Sequence, residues 1–159
     1  MASNRRTPTF ADVPNEDDFD ASNLEERLAA IAAFLPVFEN PAFTFGKLER
    51  GTRSSEIVEM PAFSTSKEAE SFVRTAYEAE WVYPFSWTDW VDTDEAKRLR
   101  NDPSFLAQAD ERQLAKLLTA SIRADRFCDG ALATDYETGL LTNILRRAAA
   151  LLAIHRSAT

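Results

Sequence analysis

Cysteine and histidine are almost missing from this 159-residue chain, where Cys128 and His155 are the single members of their kinds. One cysteine excludes an internal disulfide and every multi-cysteine zinc pattern, and one histidine excludes zinc sites built on two or three. Glycine is nearly as scarce, at four residues, and no Gly-rich phosphate loop of the dinucleotide or P-loop type occurs. The G-x-S-x-G elbow and the H-E-x-x-H metal motif are absent as well. No apolar run reaches the roughly 18 to 20 residues of a membrane span, and residues 1–20 hold charges where a signal peptide has its apolar stretch. No metal, no cofactor and no membrane partner is therefore expected, and the expected setting is the cytoplasm.

What is present is enough for one core. Apolar residues make up 45% of the chain and aromatics 11%, and a chain of this length suits a single domain. Eighteen basic residues against twenty-six acidic ones leave a net charge of -8, a field that repels phosphate backbones, so nucleic acid is not the expected partner. The charge is unevenly divided: residues 111–159 carry +2 and the first 110 carry -10. A helix-turn-helix reading of 111–155 would put Thr142, Asn143, Arg146 and Arg147 on one exposed face, but an excess of two charges is small for DNA.

Residues 1–21 hold Arg5, Arg6, two prolines and the acidic cluster Glu16, Asp17, Asp18 and Asp20. Too little apolar area is available there to offset ordering at roughly 1 to 2 kcal/mol per residue, so a disordered acidic tail is expected, with 22–159 as the single globular domain. Phe10 and Phe19 would be its anchors if it folded on a partner. Ser22-Asn23-Leu24-Glu25 fits a capping box that opens a helix carrying Leu24, Leu28, Ile31 and Leu35, and Pro36 is expected to end it. The stretch 43–60 reads as a hairpin, with strands at 43–48 and 56–60, a polar turn at 49–55, and Pro41 and Pro61 as brackets.

Thr65-Ser66-Lys67-Glu68 is a second capping-box candidate before a helix from about 66 to 80. The aromatic run Trp81 to Trp90 contains Pro84, so it should be a loop entering a helix capped near Ser86 that continues to Arg100 and is broken at Asn101-Asp102-Pro103. Asp110 and Gln113 cap a helix with Leu114, Leu117, Leu118 and Ile122 on one face. A short helix at about 131–138 ends at Gly139, and Leu141, Ile144, Leu145, Ala148, Leu151, Leu152 and His155 mark a last helix. The expected fold is α+β: a predominantly α-helical single domain of five or six helices with one small antiparallel β-hairpin.

The best candidate for a polar site surrounds the turn after the Asp110 helix. Arg123 and Arg126, three residues apart, could hold one anion between them. Cys128 sits beside these cations, which favour a thiolate. Trp87 and Trp90 could supply a stacking surface and Glu137 an acid or base, giving a small-molecule or anion site. The plainer reading pairs the arginines with Asp125, Asp129, Asp135 and Glu137 and packs the tryptophans in the core. His155, in phase with the apolar stripe, reads as a last-turn residue favourable to the helix dipole.

Asp125-Arg126-Phe127-Cys128-Asp129-Gly130-Ala131-Leu132, followed by Glu137-Thr138-Gly139 and Ile144-Leu145-Arg146-Arg147, resembles the C-terminal signature of a bacterial domain-of-unknown-function family. Phe34 to Glu39 and Trp81 to Trp87 are similar too, so the resemblance covers about residues 24–150. It implies a bacterial or phage origin and transfers no activity. Some members carry a histidine where this chain has Ala131, so any family role of that imidazole is missing here. With no catalytic constellation in view, the leading expectation is a non-enzymatic acidic binding or regulatory protein that engages a protein partner, an inhibitor with charge mimicry being one form. Self-association stays open. The alternative is the anion or small-molecule site of Arg123 and Arg126 beside Trp87 and Trp90.

Overall fold

A computed structural model describes residues 18–49 and 62–158. The expected α+β architecture, mainly helical with one small antiparallel sheet, is what it shows. Its helices are α1 (Leu24–Ala32), α2 (Leu35–Glu39), α3 (Lys67–Glu78), α4 (Trp87–Trp90), α5 (Asp94–Asn101), α6 (Pro103–Leu106), α7 (Glu111–Asp125), α8 (Ala131–Glu137) and α9 (Leu140–Ser157). Strands β1 (Gly46–Glu49) and β2 (Ala62–Thr65) pair antiparallel, with Gly46 opposite Thr65 and Lys47 opposite Ser64.

Helix α7 is the axis of the core. Every residue from Leu114 to Ile122 is buried, because the helix is covered on several sides instead of along one stripe. Helix α9 lies against α1, α2, α6, α7 and α8 and buries Leu141, Ile144, Leu145 and Ala148 completely. The Asp110–Gln113 box forms as expected, with Gln113 N–H donating to Asp110 and the Gln113 side chain accepting from Asp110 N–H. His155 in the last turn of α9 meets Glu111 in the first turn of α7 at 2.9 Å.

Several local expectations are corrected. Ser22 does not cap α1: the N-cap is Asn23 in the left-handed region (φ 53°), with no side-chain cap bond, while Ser22 N–H donates to Asp20. The first helix stops at Ala32, and Pro36 stands in the first turn of α2, where its missing N–H costs nothing. The cap of α3 is Ser66, which accepts from Ala69 N–H, while Thr65 belongs to β2. The second strand lies beyond Pro61, at 62–65; the expected strand at 56–60, and all of the expected turn but Glu49, fall outside the described residues. The helix expected from Ser86 to Arg100 is two helices, because the Thr93 hydroxyl accepts from Ala96 N–H and starts α5 anew.

Arg27 organises the end of α3. It is buried, at 7% exposure. Its Nε donates to the Ala79 carbonyl (2.8 Å), Nη2 to that of Glu80 (3.0 Å), and Nη1 to those of Ser22 (3.0 Å) and Asp20. The guanidinium also lies over the rings of Phe19 and Trp81, at 5.3 and 5.2 Å, and Trp81 Nε1 donates to the Arg27 carbonyl. Phe19, buried against Trp81 and Tyr83, is thus occupied within the chain itself. Glu80 takes the left-handed conformation (φ 60°), and the bonds Trp81 N–H to Ala76 and Glu80 N–H to Tyr77 complete a Schellman ending without glycine.

Candidate functional site

The turn from Arg123 to Ala131 is built by its own side chains. The Asp125 carboxylate accepts from Leu132 N–H at 3.0 Å and so caps α8 from the preceding helix. Gly130 adopts φ 88° as the residue before α8, a conformation that disfavours any side chain. Phe63 of β2 lies under this glycine, its ring carbon 3.6 Å from where a Cβ would stand, and the same ring crosses Gly46 so closely that a Cβ there would lie 2.5 Å from it. Much of the Asp-Arg-Phe-Cys-Asp-Gly pattern is therefore turn architecture: Asp125 is the cap and Gly130 the left-handed corner.

What the turn presents outward is a different set. Phe127 is 82% exposed, against 55% for Ile154. Its ring leans on the half-buried Trp87 with centroids 6.2 Å apart. Arg123 and Arg126 both lie over Tyr77 of α3, each 5.9 Å from the ring centre. Among the described residues neither guanidinium forms an ion pair. The expected pairing of these arginines with Asp125, Asp129, Asp135 and Glu137 is thus corrected. Asp135 is taken by Arg100 at 2.7 Å, with Ser121 beside it, joining α5, α7 and α8, and Asp125 is engaged as a cap. The Tyr77 hydroxyl is buried and has no partner among the described residues; an unpaired buried polar group costs about 1–3 kcal/mol.

The candidate residues are brought together only in part. Arg123 and Arg126 share Tyr77, and Trp87 meets Phe127. Trp90 is buried, donates to Glu95 at 3.0 Å, and faces Phe85 and Lys116. Cys128 is a free, exposed thiol. Glu137 closes α8 and is exposed. A cavity of about 250 Å³ beside the turn is lined by Phe45, Phe63, Val73, Asp125, Leu132 and others, and by none of the six candidates. No group of three or more metal-ligating side chains occurs among the described residues. The face proposed for DNA is not free either: Thr142 is buried, Arg146 bonds Glu39 and Asn143, and Arg147 donates to the Ala109 carbonyl at 2.7 Å.

Phe127 is the residue that sequence reasoning passed over. The signal was its place: Phe127 follows the last residue of α7, Asp125, and its C-cap, Arg126, beyond the stretch that is buried on all sides.

A mainly helical domain that presents arginines and aromatics around a tight turn is the class of protein these observations define. Residues 23–153 match a family of unknown function, DUF6508, and the chain belongs to it. The matched span agrees with the extent over which the chain resembled an uncharacterised family. No curated protein and no solved structure matches the chain.

Proposed function

We propose that this chain is a non-enzymatic binding protein that engages a protein partner through the turn between α7 and α8. The observation that carries the reading is the exposure of Phe127, whose ring leans on Trp87, next in sequence to Arg126 and one turn after Arg123, neither of which forms an ion pair among the described residues. Residues of these types, Trp, Tyr and Arg above all, supply most of the binding energy in protein interfaces. An exposed Phe gains little for the isolated fold, and neither does the Tyr77 hydroxyl, which has no partner among the described residues. The net charge of -8 supports a partner other than a phosphate polymer. A bacterial or phage origin and a cytoplasmic setting belong to the same proposal; the exposed, unpaired Cys128 suits a reducing compartment.

The test is affinity capture from the source cell with the wild-type chain and Phe127→Ser side by side. A specific partner retained by the wild type and lost by a variant of unchanged thermal stability supports the reading. Equal retention by both, or no specific partner together with turnover of a metabolite, removes it.

A further inference from the structure

The cleft between α6 and α9 carries chemistry that the protein-binding reading leaves unused. Asn143, Arg146, Arg147 and Ala150 recur along α9 at helical spacing, which sets them on a single face. Together with Pro103, Leu106 and Ala107 on the α6 side, they line a cavity of about 180 Å³. We infer that this cavity binds a small organic carboxylate with a compact apolar body, about the size of benzoate, its carboxylate on Arg147 and its body against α6.

The polar part of the lining consists of donors. Arg147 is half-buried and fixed from behind, because its Nε donates to the Ala109 carbonyl at 2.7 Å. Neither of its terminal nitrogens has a partner among the described residues, so a fork matched to two carboxylate oxygens is already positioned. Arg146 spends Nε on Glu39 at 3.1 Å and Nη1 on Asn143 Oδ1 at 3.0 Å. One arm of its fork is left, and the Asn143 NH₂ remains a donor. Among the described residues no acidic side chain lines the cavity. The acidic residues nearest its wall in sequence, Asp102 and Asp110, accept from the backbone N–H groups of Ser104 (3.0 Å) and Gln113 (2.8 Å). They keep their charges, and the net charge of -8 opposes any anion; that field is screened through water, whereas paired hydrogen bonds from a guanidinium act at contact. The apolar part of the lining selects the body. Inorganic phosphate would leave Pro103, Leu106 and Ala150 facing water, and its second charge doubles the repulsion. A cavity of about 150 Å³ takes a benzene ring, so the present one suits a ring with one carboxylate.

Titrating the isotopically labelled full chain with benzoate, followed by NMR, tests this. Saturable shifts are expected at the Asn143 side-chain amide, the Arg147 Nε–H and the backbone amides of Ala107 and Ala150, with a Kd in the millimolar range of so small a ligand. Benzamide, which is neutral, acetate, which lacks the ring, and inorganic phosphate should each bind about 10-fold more weakly or worse; equal binding of any of them would overturn the assignment. Ala150→Leu fills the cleft from an exposed position and should abolish the benzoate shifts with the thermal transition unchanged. Arg147→Gln should weaken benzoate about 10-fold or more, the scale of a lost charged hydrogen bond. Because Arg147 also holds Ala109, Ala150→Leu decides the matter if the glutamine variant does not fold. Shifts that survive Ala150→Leu, that fall outside α6 and α9, or that never saturate would overturn the site. Capture of a protein partner through Phe127 is independent of all these outcomes, so the two readings stand or fall separately.

Discussion

Replacing Arg27 with methionine keeps the aliphatic stem and removes the fork that holds four carbonyls. Hydrogen bonds from charged donors contribute about 1.5–3 kcal/mol each, but removing a guanidinium from water costs several kcal/mol in return. Asp20 and Ser22 are exposed residues, so their carbonyls regain water in the variant. The carbonyls of Ala79 and Glu80 at the end of α3, and the contacts with Phe19 and Trp81, carry the net effect. We expect Arg27→Met to lose about 2–4 kcal/mol, which for a chain of this size lowers Tm by roughly 4–16 °C. Urea titration followed by tryptophan fluorescence reads the change as a lower midpoint at unchanged m. Arg27→Lys should recover only part, since an ammonium can reach three acceptors at most and cannot lie flat between two rings. A cycle with Phe19→Ala should show coupling of about 0.5–2 kcal/mol. A loss below about 0.5 kcal/mol for Arg27→Met, or full rescue by lysine, would refute the idea that a planar fork closes this end of the molecule.

Gly46→Ala should destabilise sharply in calorimetry, because its Cβ would stand 2.5 Å from the Phe63 ring and 2.6 Å from the Ser64 carbonyl oxygen, and backbone cannot yield as a side chain can; an unchanged transition temperature would show that the ring moves freely. Glu80→Gly relieves a left-handed residue and should stabilise by up to about 1 kcal/mol, with a destabilised variant as the contrary outcome of the same urea titration. The Ser104 hydroxyl, aided by the backbone amides of Phe105 and Ser104, holds the Asp102 carboxyl below its ordinary value of 3.8. Its folded form therefore binds protons less readily than its unfolded form, so the stabilising contribution is complete above the unfolded pKa and fades as pH falls through the lower folded value. A carboxyl carbon NMR titration of Asp102 with a midpoint at or above 3.8 would contradict this.

Elements held by neighbours in sequence were legible from sequence. The Asp110–Gln113 cap, the face of α7 and the stripe of α9 all follow from spacings of three and four residues, and Gly139, between α8 and α9, from its freedom at φ 86°. What was not legible depends on distance along the chain. Arg27 is chosen by carbonyls more than fifty residues away, and nothing local distinguishes it from an exposed helical arginine. Asp135 was assigned to the wrong arginine because Arg100, 35 residues earlier, reaches it through the fold. The candidate site was half visible: its arginines and Trp87 stood out, whereas Trp90 turns inward to Glu95 and Phe127 was masked by the polar residues on either side.

Phe63 touches two glycines that lie 84 positions apart, one in the hairpin and one at the corner that carries the exposed ring. Its ring lies between the hairpin and that corner, so a change in its size is expected to alter how the corner seats on the sheet. A leucine at that position would leave the helices standing and tilt the presenting loop. A substitution in the hairpin therefore reaches the α7–α8 turn without changing any residue of that turn.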